Sequence, residues 1–393
     1  MDEQVLFRQG GFGLVARSRG LAGLRVDEAQ VARLREFAQQ QDELADAVVD
    51  WLHRDGRGQQ LVDRALAEGI DSVEGAPEEL RAFFARAEST PYWVDAERLE
   101  RGARAITRAG LLGLFPLGDL SLMGGYFASR ATKSLVGTGE IEHSTARRLI
   151  ETAAWWIDVT TPGALAQRGS GYQAALRIRL VHAHVRHAMN NRADWDYESW
   201  DRPVNHVQTA GTLLLFSLVY VSGTQLLGLR YSAREKADVL HLWRYLGWLM
   251  GVPEELLPAN EDDAWRLLWL LAATEFIPDD DSKRLAKALV TSHEAIGADR
   301  GVAGKVLAHV NVRVHASVSR LVLGRDNADY LGLPDDLIAQ AAVLVGAGTN
   351  FVAETLRPFV PGATTVQELL GGLGRRHYRH RVDQLLDRHP RTA

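Results

Sequence analysis

Two stretches decide how this chain is read: Arg148-Leu149-Ile150-Glu151-Thr152, and about thirty residues later Val181-His182-Ala183-His184-Val185-Arg186. In the first, Arg148, Glu151, Thr152 and Trp155 recur at i, i+3, i+4 and i+7, so a helix would put them on one face. In the second, Arg179, His182 and Arg186 recur at i, i+3 and i+7, again one stripe of a helix. Two such helices packed antiparallel could present a histidine and a polar cluster to one buried site. That arrangement suits a metal cofactor.

The same helical period spreads outward. Val31 to His53 places apolar residues close to every 3.6 positions, and Pro77-Glu78-Glu79 opens another helix with proline early and acids in its first turn. Further helices are expected over 98–109, 143–159, 172–190, 204–229, 233–250, 262–275, 280–295, 301–323, 334–345 and 365–388. Gly110 to Gly125, glycine-rich and interrupted by Pro116 and Asp119, reads as a loop or broken helix against the core. Alternating strand patterns are scarce and no linker demands a break. The expectation is an all-α fold in a single large domain, residues 1–393.

Composition narrows the function. Apolar residues are 46% and charged residues 24% of the chain, a globular profile that can bury a sizeable core. The net charge of −5 argues against a nucleic-acid partner. With no cysteine, disulfides, thiolate zinc sites, iron–sulfur clusters and thiolate-ligated or covalently attached haem are all excluded. The N-terminus lacks the basic and apolar regions of a secretion signal, so a cytoplasmic location is expected. Val207 to Leu229 has no charge and the length of a bilayer span, but polar residues and glycines interrupt it. It reads as a buried core helix, and no stable membrane insertion is expected. The basic run Arg375-Arg376-His377-Tyr378-Arg379-His380-Arg381 reads as a solvated helix end.

Spacing alone leaves the chemistry open. Arg148 and Glu151 could form an ordinary surface pair, and His182 could be a structural histidine. His184 falls nearly opposite His182, and His187 lies off its stripe, so the three do not form one metal cage. Glu140 and His143 match the Glu-x-x-His spacing of di-iron bundles, but no second copy exists. Arginines one turn to either side of a ligating histidine suit the propionates of a haem.

Taken in order, Pro91-Tyr92-Trp93-Val94-Asp95, Leu135-Val136-Gly137-Thr138-Gly139, Arg147 to Thr152, Asp158 to Gly163, Arg177 to Ala183 and Pro203-Val204-Asn205 resemble the shared domain of latex-clearing protein and the MpaB-type oxygenases. The resemblance implies a globin-related helical architecture with a haem-binding core around residues 90–230. It implies one non-covalent haem b with His182 as proximal iron ligand. Arg148 and Thr152 match the arginine and threonine near the distal face, and Arg179 and Arg186 the arginines that support the pocket. Rubber-cleaving members place a lysine before the motif threonine, where this chain has Glu151. Their upstream glutamate base has no counterpart in Ala131-Thr132-Lys133. The implied activity is therefore haem-dependent oxygenation of a small hydrophobic metabolite with dioxygen or peroxide. Glu151 is then a candidate proton relay beside Arg148 and Thr152. A peroxygenase, peroxidase or dehydratase, or a helical binding protein with a degenerate haem site, are the alternatives.

Overall fold

The computed structural model describes residues 9–21, 26–55, 58–137, 141–295 and 301–388. Among them every regular element is helical and no strand occurs. Eleven helices carry the argument. They are α1 (Glu43–Arg54), α2 (Ala96–Thr107), α3 (Ser129–Gly137), α4 (Ile141–Val159), α5 (Ser170–Asn190), α6 (His206–Leu214), α7 (Tyr220–Leu226), α8 (Ala233–Leu249), α9 (Gly301–Leu323), α10 (Leu337–Leu356) and α11 (Ala363–Arg388).

Local chemistry sets several of their ends. Asp42 accepts from Ala45 N at the start of α1, and Asn205 accepts from Gln208 N at the start of α6. Ser232 and Glu235 close a reciprocal capping box on α8. The Asp42 cap explains one difference from expectation. The apolar period from Val31 to His53 is carried by two helices, Glu28–Ala38 and α1, separated where Asp42 turns the chain. Proline at 203 only precedes α6; Asn205 is the residue that starts it.

The segment 110–125 is the broken helix that its glycines suggested. It runs as a 3₁₀ turn, Gly110–Gly113, then a π-helix, Pro116–Leu122, then one turn of α-helix. A second π segment, Leu215–Val219, joins α6 to α7. The two π segments pack against each other, and the Ser121 hydroxyl donates to Leu215 O at 2.6 Å. Asp119 sits fully buried in the first, with its carboxylate 2.8 Å from Nδ1 of His315 on α9.

Helices α2 and α8 make the closest pairing, because Gly102 lets the backbone of Asp238 come where any Cβ would collide. The Asp238 carboxylate then binds Arg98 at 2.9 Å and Arg101 at 2.7 Å. On the other side α5 lies along both α1 and α4. One cluster of buried apolar residues runs through these elements from Phe12 to Leu333.

Among the described residues two unbroken helical stretches are long and apolar enough to cross a membrane, and their surroundings differ. His206–Leu226 has a mean hydropathy of 1.3 and is 78% buried, the core helix expected from its sequence. Leu337–Phe359 has a mean hydropathy of 1.4 and is only 11% buried. The sequence reading ended this helix at 345; it continues to Leu356 on the surface.

Candidate active site around His182

Arg179 and Arg186 on α5 are buried, and carboxylates from α1 meet them. Arg179 makes a forked pair with Asp42, at 2.6 and 2.9 Å, and donates a further 3.3 Å bond to Leu249 O. Its guanidinium also lies 4.6 Å from the Phe83 ring centroid. Burial opposes the charge on Asp42, but Arg179 outweighs it and holds that carboxyl below its ordinary pKa. Arg186 binds Asp46 at 2.6 Å through Nε, while its Nη2 is buried with no hydrogen-bond partner. Asp46 is pushed upward by burial, which Arg186 only partly offsets.

His182 lies between these two arginines in sequence, half-buried, and its ring makes no hydrogen bond among the described residues. Burial, reinforced by Arg186, lowers its pKa to about 4, so the imidazole is neutral at physiological pH. The other two histidines of the motif turn elsewhere. His187 stacks on His53 at 4.2 Å and meets Asp50 at 2.9 Å, and His184 packs edge-on against His53 at 5.6 Å.

On α4, Arg148 is largely desolvated, which lowers its pKa, and it donates to Leu135 O at 3.3 Å. Among the described residues it makes no carboxylate pair, and Glu151 meets Arg147 at 2.9 Å. The surface pair that spacing allowed is thus formed by the preceding arginine, at i, i+4 rather than i, i+3. Thr152 is half-buried one turn beyond Arg148. Tyr126, buried after the π segment, lies close enough to feel the Arg148 charge; burial pushes its pKa to about 12 despite it. Trp155, on the same face, has Phe216 at 6.2 Å and Trp243 at 6.4 Å, and its indole N–H is buried without a partner. Trp156 points the other way, packed on Tyr220 at 4.6 Å.

Lys133, in the stretch that lacks an acid of its own, binds Asp279 at 2.7 Å and Asp281 at 2.6 Å. The Glu140–His143 spacing lies outside the residues whose side chains are described. A cleft of about 330 Å³ opens beside the Asp42–Arg179 pair, lined also by Arg86, His206 and Gly251. A smaller apolar cavity of about 20 Å³ lies against Leu213, Leu214, Ser217 and Trp243. Local spacing gave no sign of Asp42, Asp46, Tyr126, Phe216 or Trp243, because each arrives from a distant element.

The donor set tests which metal group this chain could hold. A metal bound by side chains alone needs several ligands, and the described residues contain no group of three or more His, Cys, Asp or Glu suited to it. A porphyrin already supplies its iron with equatorial nitrogens and needs one neutral imidazole from the protein. The unpartnered His182 ring and the orphaned Nη2 of Arg186 fit that requirement.

A family model described as the ER-bound oxygenase mpaB/B'/Rubber oxygenase, catalytic domain, matches residues 107–357, more than half of the chain. The chain belongs to this family. The match extends well past residue 230, so helices that carried no motif are part of the family domain too. A curated relative, the rubber oxygenase of Streptomyces sp. (strain K30), is 27% identical over 208 residues. Those residues are 51% of this chain and 48% of the relative, so the match spans about half of that protein's length. The solved structure of latex clearing protein LCP in the closed state superposes with a TM-score of 0.65 at 21% identity. It covers 91% of this chain and 92% of its own, a likeness of fold.

Proposed function

We propose that this chain is a haem b-dependent oxygenase of a small hydrophobic metabolite, in which His182 would hold the haem iron. The observation that carries the reading is the neutral, unpartnered His182 imidazole in a family named for oxygenases. When bound, the haem supplies redox chemistry with dioxygen that no side chain of this chain provides.

The chain's own residues hold and orient. The Arg186 Nη2 donor, buried and unused, suits a propionate. Arg179 is committed to Asp42, so its part is to seat α5 against α1 rather than to touch the cofactor. Arg148 keeps its charge even when desolvated and has no carboxylate partner among the described residues, so its N–H groups are free to orient toward a bound anion or polarised oxygen. The Thr152 hydroxyl adds a donor and acceptor one turn on. Glu151, held in place by Arg147, can take up or return a proton. Trp155, Phe216 and Trp243 form an aromatic wall suited to an apolar substrate.

Two features favour a small metabolite over polyisoprene. Glu151 stands where rubber-cleaving members carry lysine, and the region of their base is occupied by Lys133 with its two aspartates. The test supplies hemin-loaded protein with small isoprenoid and aromatic compounds and isotopically labelled dioxygen. Label in the product is expected, with turnover reduced in Glu151→Gln. Label entering only from peroxide would move the reading to a peroxygenase, and unchanged turnover in Glu151→Gln would remove that residue's part. No label from either oxidant would overturn oxygenation.

A further inference from the structure

The surface formed by α10 and α11 is unlike the rest of the molecule. From Leu337 to Ala353 there is no charged residue. Leu337, Ile338 and Val345 are each 70–77% exposed. The helix α10 is 20 residues long, about 30 Å at the α-helical rise. Phe359 and Val360 carry the apolar surface around the corner, and Val366, Leu369, Leu370 and Leu373 continue it along α11. A surface this long and this apolar is costly in water and marks a site of contact.

What it contacts is indicated by the next turns of α11. Val366, Leu369, Leu370 and Leu373 are spaced i, i+3, i+4 and i+7, and the same stripe continues through His377, His380 and Arg381. One exposed face therefore passes from apolar to cationic along a single helix. Arg376 and Arg381 are exposed and make no ion pair among the described residues. By contrast, the other two arginines of the run are used internally: Arg375 binds Thr160 Oγ1 at 2.6 Å and Arg379 binds Asp158 at 2.9 Å. Asp335 at the edge pairs with Arg320, and Glu368 falls on the side of α11 opposite the apolar stripe. Glu354 is buried against Arg108 and Arg357, and Asp336 pairs with Arg313.

We propose that α10 and the first half of α11 dock this protein on an anionic lipid bilayer. The helices lie in the interfacial plane, with apolar side chains among the acyl chains and Arg376 and Arg381 at the headgroups. An apolar face bordered by unpaired cations is complementary to that interface. A second copy covering the apolar stripe would supply no anionic partner for Arg376 and Arg381, whereas an anionic bilayer supplies both phases. The helix is not placed to span, because α10 packs on α9 and its C-terminal half is tied down: Asn350 donates to Leu227 O at 3.0 Å, and Glu354 accepts from Arg230 N at 3.2 Å. The inference does not depend on the haem or on the reaction.

The test is co-sedimentation of the full chain with vesicles of phosphatidylcholine alone or with about a third phosphatidylserine. Binding to the anionic vesicles is expected, with weaker binding to the neutral ones. Arg376→Ala with Arg381→Ala should lower partitioning by roughly tenfold or more, since each basic side chain near the surface contributes about one factor of five. Leu344→Glu with Val345→Glu should abolish it, and unchanged circular dichroism would show that both variants still fold. A chain that stays in solution with anionic vesicles overturns the proposal. So does binding that neither pair of substitutions weakens, or a dimer in solution that Leu344→Glu with Val345→Glu dissociates while vesicles capture nothing.

Discussion

Burial has opposite consequences for His182 and Arg148. Desolvation strips the proton from an imidazole easily and cannot remove one from a guanidinium at any working pH, so one side chain is a neutral imidazole and the other a cation. His241 on α8 shows the same force acting on stability. Its buried Nε2 accepts the Asp95 N–H at 3.0 Å, which only the neutral ring can do, and burial lowers its pKa to about 4. The folded pKa is below the unfolded value near 6.5, so as pH falls from 6.5 toward 4 the unfolded chain takes up a proton that the folded one refuses. The contribution of His241 is thus complete above 6.5 and lost on the way to 4. In urea titrations the stability advantage of the native protein over His241→Gln should shrink between pH 7 and pH 5. A constant difference would mean the ring is not held neutral.

At the level of elements, the seat of α5 on α1 decides where His182 stands, and the Asp42–Arg179 fork is its fixed point. Removing one partner leaves a buried charge uncompensated, so Asp42→Ala should lose about 3–5 kcal/mol in chemical denaturation. A loss below about 1 kcal/mol would show that the fork does not fix the helix. This is also where the legibility of the sequence ends. Helices α4, α5 and α8 were readable nearly to the residue, since apolar period and capping residues are local. The candidate histidine and arginines stood out by helical spacing, and the family resemblance alone gave them roles. Their partners could not be singled out, because Asp42 and Asp46 come from a helix far away in sequence and Trp243 from one well beyond it. The π segment 215–219 carries no residue signature separating i→i+5 from i→i+4 bonding, so it was read as continuous helix. The exposure of α10 was hidden for a related reason. Its composition matches that of the buried His206–Leu226, and only the packing of the whole chain decides which one water reaches.

In the whole molecule the buried charges and the exposed apolar surface belong to different elements. Arg179, Arg186 and His182 lie where α5 meets α1, while the uncharged stretch 337–353 of α10 and the apolar stripe of α11 lead to arginines with no ion pair among the described residues. The proposed oxygenation of hydrophobic metabolites and the proposed bilayer-facing surface are compatible in one chain, although each stands on its own observations. The family assignment rests on the domain from residue 107 to 357, and the helical architecture extends over nearly the whole length of the solved relative. The cofactor and its protein ligand are proposed beyond the family membership. The most direct measurement is the visible spectrum of the purified protein titrated with hemin, beside that of His182→Ala. The account predicts a saturable Soret band in the native protein that shifts on reduction under carbon monoxide, and its loss or marked alteration in the variant. No Soret band in the native protein after hemin addition, or an identical band in both proteins, would contradict it.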